Sequence, residues 1–176
     1  MNVPIKIFFT AVLAFVLASC SSNQATSTAT AQPMNAGKQA PVFDLVDLEG
    51  NQHDLTEYAG KKVYVKFWAS WCSICLAGME ELNTLAGEDT DFEVLTIVSP
   101  SSNAEKDSES FAKWFGGVEN ASNITVLLDE GGAVFEEYGV LAYPTSVYIG
   151  SDGVLVKSSP GHFSNAQIYE SFESIQ

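Results

Sequence analysis

Apolar residues along this chain change their spacing from one segment to the next, and the spacing predicts an alternation of strands and helices. Val63 to Trp68 are rich in β-branched and aromatic types, as a buried strand requires, while Cys75, Met79, Leu82 and Ala86 recur at helical spacing. Phe92 to Val98 reads as the next buried strand, ended by Ser99-Pro100. Strand, helix, strand in this rhythm predicts a right-handed parallel crossover. Upstream, Phe43 to Leu48 and Gln52 to Leu55 flank the turn signal Glu49-Gly50-Asn51, which places a hairpin ahead of the main sheet. Residues 101–106 form a polar loop. After it, Phe111, Trp114, Phe115 and Val118 fall at i, i+3, i+4 and i+7, one apolar helix face closed by Gly116-Gly117. Ile124 to Leu128 is a third parallel-type strand, and Val134, Phe135 and Tyr138 mark a short helix stopped by Gly139. Ser146 to Ile149, the turn Ser151-Asp152-Gly153, and Val154 to Lys157 read as an antiparallel hairpin. The last helix opens with a capping-box pair, Ser164 and Gln167, with Phe163 and Ile168 at the staple positions, and turns Ile168, Phe172 and Ile175 to the sheet. The expected fold is α/β: a mixed central sheet flanked by helices on both faces, with an N-terminal hairpin and a central helical insert.

The first residues follow a different pattern. Lys6 supplies a positive charge, and Ile5 to Ala18 is almost wholly apolar. A membrane-spanning helix needs about 20 apolar residues, whereas the apolar core of an export signal runs about 7 to 15. The stretch ends in Leu17-Ala18-Ser19-Cys20, which resembles the lipobox of bacterial lipoproteins, and that resemblance makes residues 1–19 a signal peptide and Cys20 a lipid anchor on the outer side of the cell membrane. The alternative is an ordinary secreted protein cleaved after a small residue, which would leave Cys20 as a free thiol outside the cell. Ser, Thr, Ala, Gln and Asn dominate from Ser21 to Lys38, so residues 20–39 are expected to form a flexible tether and residues 40–176 a single domain.

Charge narrows the function classes. The formal net charge of −14 comes from 22 acidic residues against 8 basic ones, all lysine. A nucleic-acid role is excluded, because nothing here could neutralise a run of phosphates. The acid excess also holds the domain off an anionic bilayer, so lipid and not electrostatics must provide the attachment.

The candidate chemistry lies where the strand from Val63 gives way to the helical pattern. Cys72 and Cys75 sit there, with Cys72 at or just before a helix N-terminus, where unpaired amides and the macrodipole favour thiolate over thiol. Cys75, one turn on, can close a disulfide with Cys72 or resolve a mixed disulfide. A zinc site would need four ligands, and the remaining candidates, His53 and His162, are isolated and wrongly spaced. A purely structural staple is unneeded in a chain long enough to bury its own core. Inert buried thiols do not suit a helix start.

The string Phe67-Trp68-Ala69-Ser70-Trp71-Cys72-Ser73-Ile74-Cys75, the distant Tyr143-Pro144-Thr145, the hairpin ending near Lys157, and Gly161 before the last helix together resemble the thioredoxin superfamily, within it the TlpA/ResA-like extracytoplasmic branch. The resemblance implies a thioredoxin fold over essentially the whole domain. It implies that Cys72 is the nucleophile, Cys75 the resolving thiol and Pro144 a cis proline beside them, with Trp71, Ser73, Ile74, Tyr143 and Lys66 in support. A redox-active disulfide is then the only cofactor. Two positions depart from the pattern. Lys66 stands where thioredoxin has a buried aspartate; its ammonium either favours a thiolate or snorkels to solvent. Gly78 stands where the branch often carries a glutamate three residues after the second cysteine, with Glu80 and Glu81 displaced from it.

Members of this branch serve cytochrome c maturation or recycle methionine sulfoxide reductases. Val65 to Cys72 followed by Val98-Ser99-Pro100 resembles the second group, including the N-terminal domain of PilB-type proteins and a free lipoprotein version in Gram-positive cells. That resemblance implies a monomeric reductant in oxidative stress, with a surface methionine sulfoxide reductase as partner and a CcdA/DsbD-type membrane protein as electron donor. The rival readings are a cytochrome maturation reductase, a DsbA-like oxidant, and a binding lipoprotein on the same scaffold without turnover.

Overall fold

The computed structural model describes Met1 and residues 34–176, so Cys20 and residues 2–33 lie outside the described residues. Strands β1 (Lys38–Gln39), β2 (Asp44–Asp47), β3 (Gln52–Asp54), β4 (Lys62–Phe67), β5 (Phe92–Val98), β6 (Val126–Leu128), β7 (Thr145–Ile149) and β8 (Val154–Pro160) form one mixed sheet in the order β1-β8-β7-β4-β5-β6-β2-β3. Parallel pairing joins β4 to β5 and β5 to β6, and β7 runs antiparallel to both β4 and β8. The helices are α1 (Ser73–Ala77), α2 (Met79–Gly87), α3 (Ser108–Phe115), α4 (Ala133–Glu137) and α5 (Asn165–Glu173).

Alternation along β4 builds both halves of the core. Val63, Val65 and Phe67 join Leu95, Ile97, Val147 and Ile149 on one face, where Val134, Phe135 and Tyr138 of α4 and Phe43 of the N-terminal arm cover them. Tyr64 and Trp68 point to the other face, packed by Met79, Leu82 and Leu85 of α2, Phe111 of α3, and Ile168 and Phe172 of α5. Two-sided burial explains why β4 reads as a continuous apolar run instead of an alternating one. The Phe172 ring stacks on Phe92 with centroids 4.2 Å apart, so α5 is clamped to the start of β5.

Strand and helix ends shift by a few residues in places, as β8 runs to Pro160 and β6 starts at Val126, and two differences go further. The single helix expected through Cys75, Met79, Leu82 and Ala86 is two helices, interrupted at Gly78, whose φ of −94° and ψ of 9° leave the helical region. Apolar spacing continues across the break because Gly78 still donates to the Cys75 carbonyl and accepts from Leu82. The expected tether also ends earlier. Asn35 is buried, and its side chain and amide donate to the Asp152 carboxylate at 2.8 and 2.9 Å, while the Gln176 amide donates to its Oδ1 at 2.9 Å. Lys38 and Gln39 then pair with β8 as an edge strand. Polar composition concealed this docking, which depends on hydrogen bonds to the C-terminus and to the turn between β7 and β8.

The Asn35→Ala substitution should therefore lower unfolding free energy by about 1–3 kcal/mol, the usual cost of leaving buried polar groups without partners. Urea denaturation checks this: the midpoint should fall with the slope unchanged.

Candidate active site

Cys72 and Cys75 form a disulfide with Cα atoms 5.2 Å apart. Cys72 caps α1 in extended conformation, and the Cys75 amide donates to its Sγ at 3.2 Å. An amide aimed at sulfur stabilises a thiolate there once the pair is reduced. Cys75 is 2% exposed and Cys72 7%, so an incoming group meets Cys72 first. The Tyr143–Pro144 peptide is cis, and the Pro144 carbonyl accepts the Gly161 amide at 2.7 Å, which ties the loop before β7 to the loop before α5.

Around the disulfide the surface is apolar and open. Trp71 is 50% exposed, Ile74 57% and Leu141 97%. Trp71 packs edge-on against Tyr143 at 5.4 Å, and together with Asn103 and residues 140–142 they line a groove of about 570 Å³. Ser73 lies exposed in the first turn of α1. Trp71, Ser73, Ile74, Tyr143 and Pro144 are thus brought to one end of the sheet with the cysteines.

Lys66 is placed differently from a snorkelling side chain. It is 3% exposed, on the same face of β4 as Tyr64 and Trp68, in register with Thr96 of β5 and Ser146 of β7. Burial pulls its ammonium down to about 8, and the nearby Glu81 carboxylate partly opposes the shift. The Tyr64 hydroxyl lies 2.7 Å from Ser146 Oγ, so the register partner of Lys66 is itself hydrogen-bonded inside the sheet.

The polar loop 101–106 is part of the site, which its composition did not reveal. Glu105 is buried and accepts from the amide and hydroxyl of Ser70, each at 2.5 Å, and from the Lys106 amide at 2.7 Å. Lys106 Nζ reaches back to Ser70 Oγ at 2.5 Å and lies 4.9 Å over the Trp114 ring. Asn103 Nδ2 donates to the Tyr143 hydroxyl at 3.1 Å. Ser101, Asn103 and Ala104 all have positive φ, the turns that let so short a loop fold back on Ser70. In the sequence Glu105 and Lys106 are an ordinary charged pair in a hydrophilic stretch. Only the contact with Ser70, two residues before Cys72, gives them a task. His162 and Glu81, which sequence spacing left unconnected, meet with Nε2 and Oε2 3.2 Å apart, and the His162 ring lies over Gly78.

The Redoxin family matches residues 35–171, nearly the whole described domain. The chain is a member of that family. It is 30% identical over 144 residues to the thiol-disulfide oxidoreductase ResA of Bacillus thuringiensis subsp. konkukian, covering 82% of this chain and 80% of that one. Among solved structures it is similar to the exposed lipoprotein thioredoxin Etrx1 of Streptococcus pneumoniae strain TIGR4, with a TM-score of 0.73 and 40% identity over 77% of this chain and 100% of that one. It is also similar to the N-terminal domain of PilB from Neisseria gonorrhoeae, with a TM-score of 0.66 and 26% identity over 74% and 87% of the two chains. The redoxin has the thioredoxin fold, and family and cysteine pair together make it a thiol-disulfide oxidoreductase of the TlpA/ResA-like type.

Two predictions test the supports of this redoxin's site. Lys66 binds its proton more weakly folded, at about 8, than unfolded, near 10.4, so between these values the unfolded state holds more protons and stability must rise with pH. Urea midpoints of the oxidised protein should climb from pH 8 toward about pH 10, and Lys66→Met should abolish the climb. Glu105→Ala strands the buried Ser70 amide and hydroxyl; it should cost about 1–3 kcal/mol in unfolding free energy and slow insulin reduction, with Glu105→Gln retaining part of both.

Proposed function

We propose that this redoxin is a reductant of protein disulfides, working outside the cytoplasm from a lipid anchor at Cys20, and that its substrate is an oxidised methionine sulfoxide reductase. The Cys72 thiolate attacks one sulfur of the partner's disulfide, the other sulfur leaves as a thiolate, and a mixed disulfide joins the two proteins. Cys75, deprotonated, then attacks Cys72 Sγ and expels the second partner sulfur. The partner gains two electrons and the redoxin is left with the Cys72–Cys75 disulfide. A CcdA/DsbD-type membrane protein returns the electrons, and no cofactor beyond the dithiol is needed.

The observation that carries the exchange is the position of Cys72: at a helix start, with the Cys75 amide on its sulfur, beside exposed Trp71 and Ile74. Apolar side chains left in solvent around a reactive sulfur suit contact with another protein surface and do not suit a small polar substrate. The aromatic wall of Trp71 and Tyr143, held by Asn103, gives that contact a fixed shape. Likeness to a protein described as an exposed lipoprotein thioredoxin supports the placement, and likeness to the PilB N-terminal domain supports the choice of substrate.

Trapping tests the proposal. Cys75→Ser should stall the mixed disulfide on Cys72 and recover a methionine sulfoxide reductase from the cell-surface fraction. Recovery of an apocytochrome instead would overturn the substrate. Insulin reduction no faster than that of Cys72→Ser would overturn the reductant reading altogether.

A further inference from the structure

We propose that His162 is the group that takes the proton from Cys75 when the mixed disulfide is resolved, and that Glu81 is the positioning residue that holds its ring. The inference rests on the exchange chemistry of the preceding subsection and assigns the one proton transfer which that chemistry leaves open.

The geometry begins at Gly78. Cys72, Cys75, Gly78 and Met79 make the buried face of the broken α1–α2 helix, so whatever covers Gly78 lies beside Cys75. The cover is the His162 ring. A Cβ placed on Gly78 would meet His162 Cε1 at 2.5 Å and Nδ1 at 2.6 Å, so the imidazole fills the space over this glycine. Groups three residues apart on a helix face have Cβ atoms about 5–6 Å apart. The ring edge therefore occupies the place from which a side chain at position 78 would extend toward Cys75.

Ring orientation supplies the chemistry. His162 Nε2 faces the Glu81 carboxylate at 3.2 Å, and an Nε2–H donating there leaves Nδ1 unprotonated on the side that faces Gly78. Glu81 is itself held from two directions, by the Asn165 amide donating to its Oε1 at 2.9 Å and by the Asn165 side chain donating to its carbonyl at 2.8 Å. The loop carrying His162 is pinned by the Gly161 amide, which donates to the cis-proline carbonyl. A thiol, a base and a carboxylate that orients the base are the parts an activated nucleophile needs.

In the step itself, Cys75 gives its proton to Nδ1, its sulfur attacks Cys72 Sγ, the intramolecular disulfide forms, and the bond from Cys72 to the partner breaks. The leaving thiolate takes up a proton from the imidazolium, which Glu81 has stabilised in the interval. Charged groups around the ring come from each neighbouring element: Glu81 of α2, Lys66 of β4 behind Glu81, and Lys157 of β8, whose ammonium lies 5.5 Å over the adjoining Phe163 ring.

Stopped-flow reaction of the reduced full-length protein with dithiobis-nitrobenzoate separates the two half-reactions. A first coloured thiolate reports attack by Cys72 and a second reports resolution by Cys75. In His162→Gln and His162→Ala the first phase should match the unsubstituted protein, and the second should slow on the order of 10²-fold at neutral pH and recover as hydroxide rises. Added imidazole should restore the second phase in His162→Ala, where the space over Gly78 is open, and not in His162→Gln. An unchanged second phase in both variants, with its pH profile intact, would overturn the assignment even if the variants were less stable. Failure of the unsubstituted protein to show a second phase would overturn the dithiol exchange on which it rests.

Discussion

Burial of β4 on both faces is the constraint from which the rest of the structure follows. A strand with Val63, Val65 and Phe67 on one side and Tyr64, Lys66 and Trp68 on the other cannot sit at an edge or on a one-sided sheet, so helices must cover both faces. Its neighbours β5 and β7 then run so that the end of β4, the end of β5 and the start of β7 all lie at the same end of the sheet. The cysteine helix, the loop 99–107 and the cis-proline loop emerge there together, and the end of β8 brings His162 to the same place. Reactive groups from four distant stretches of chain converge because of one buried strand.

That burial also sets the electrostatics of the site. Lys66 occupies the central strand at a depth where its ammonium loses water, flanked in register by Thr96 and Ser146. Burial pulls the Lys66 ammonium down, and the Glu81 carboxylate of α2 partly opposes the shift. Lys66 thus puts a cation where the resemblance to thioredoxin implies an aspartate, and the base proposed for the resolving cysteine, His162, stands over Gly78.

The legible parts of the fold were those where local chemistry and tertiary packing agree. Ser164 and Gln167 announce α5 because capping is a matter of neighbouring residues, and the structure has both arms of the box. The apolar run into Cys72 announces the central strand because nothing local competes with it. The break at Gly78 was hidden, since apolar spacing carries on through it, and the His162 ring that covers this glycine arrives from 84 residues further along the chain. The docking of Asn35 was hidden for a similar reason: a polar segment looks the same whether its hydrogen bonds go to water or to Asp152 and Gln176.

By itself the sequence determined the strand-to-helix junction that carries Cys72 and Cys75, the order of the elements, the cap of the last helix and the sign of the net charge, because each depends on residues within a few positions of one another. The tertiary structure alone decided that Lys66 is enclosed and does not snorkel, that Glu105 is bound to Ser70, that Asn103 steadies Tyr143, and that His162 and Glu81 stand over Gly78. The hydrogen bonds and ring contact among these join residues 35 to 84 positions apart. No local pattern encodes them, because the partner of a polar side chain is chosen by where the sheet brings it and not by what stands beside it in the chain.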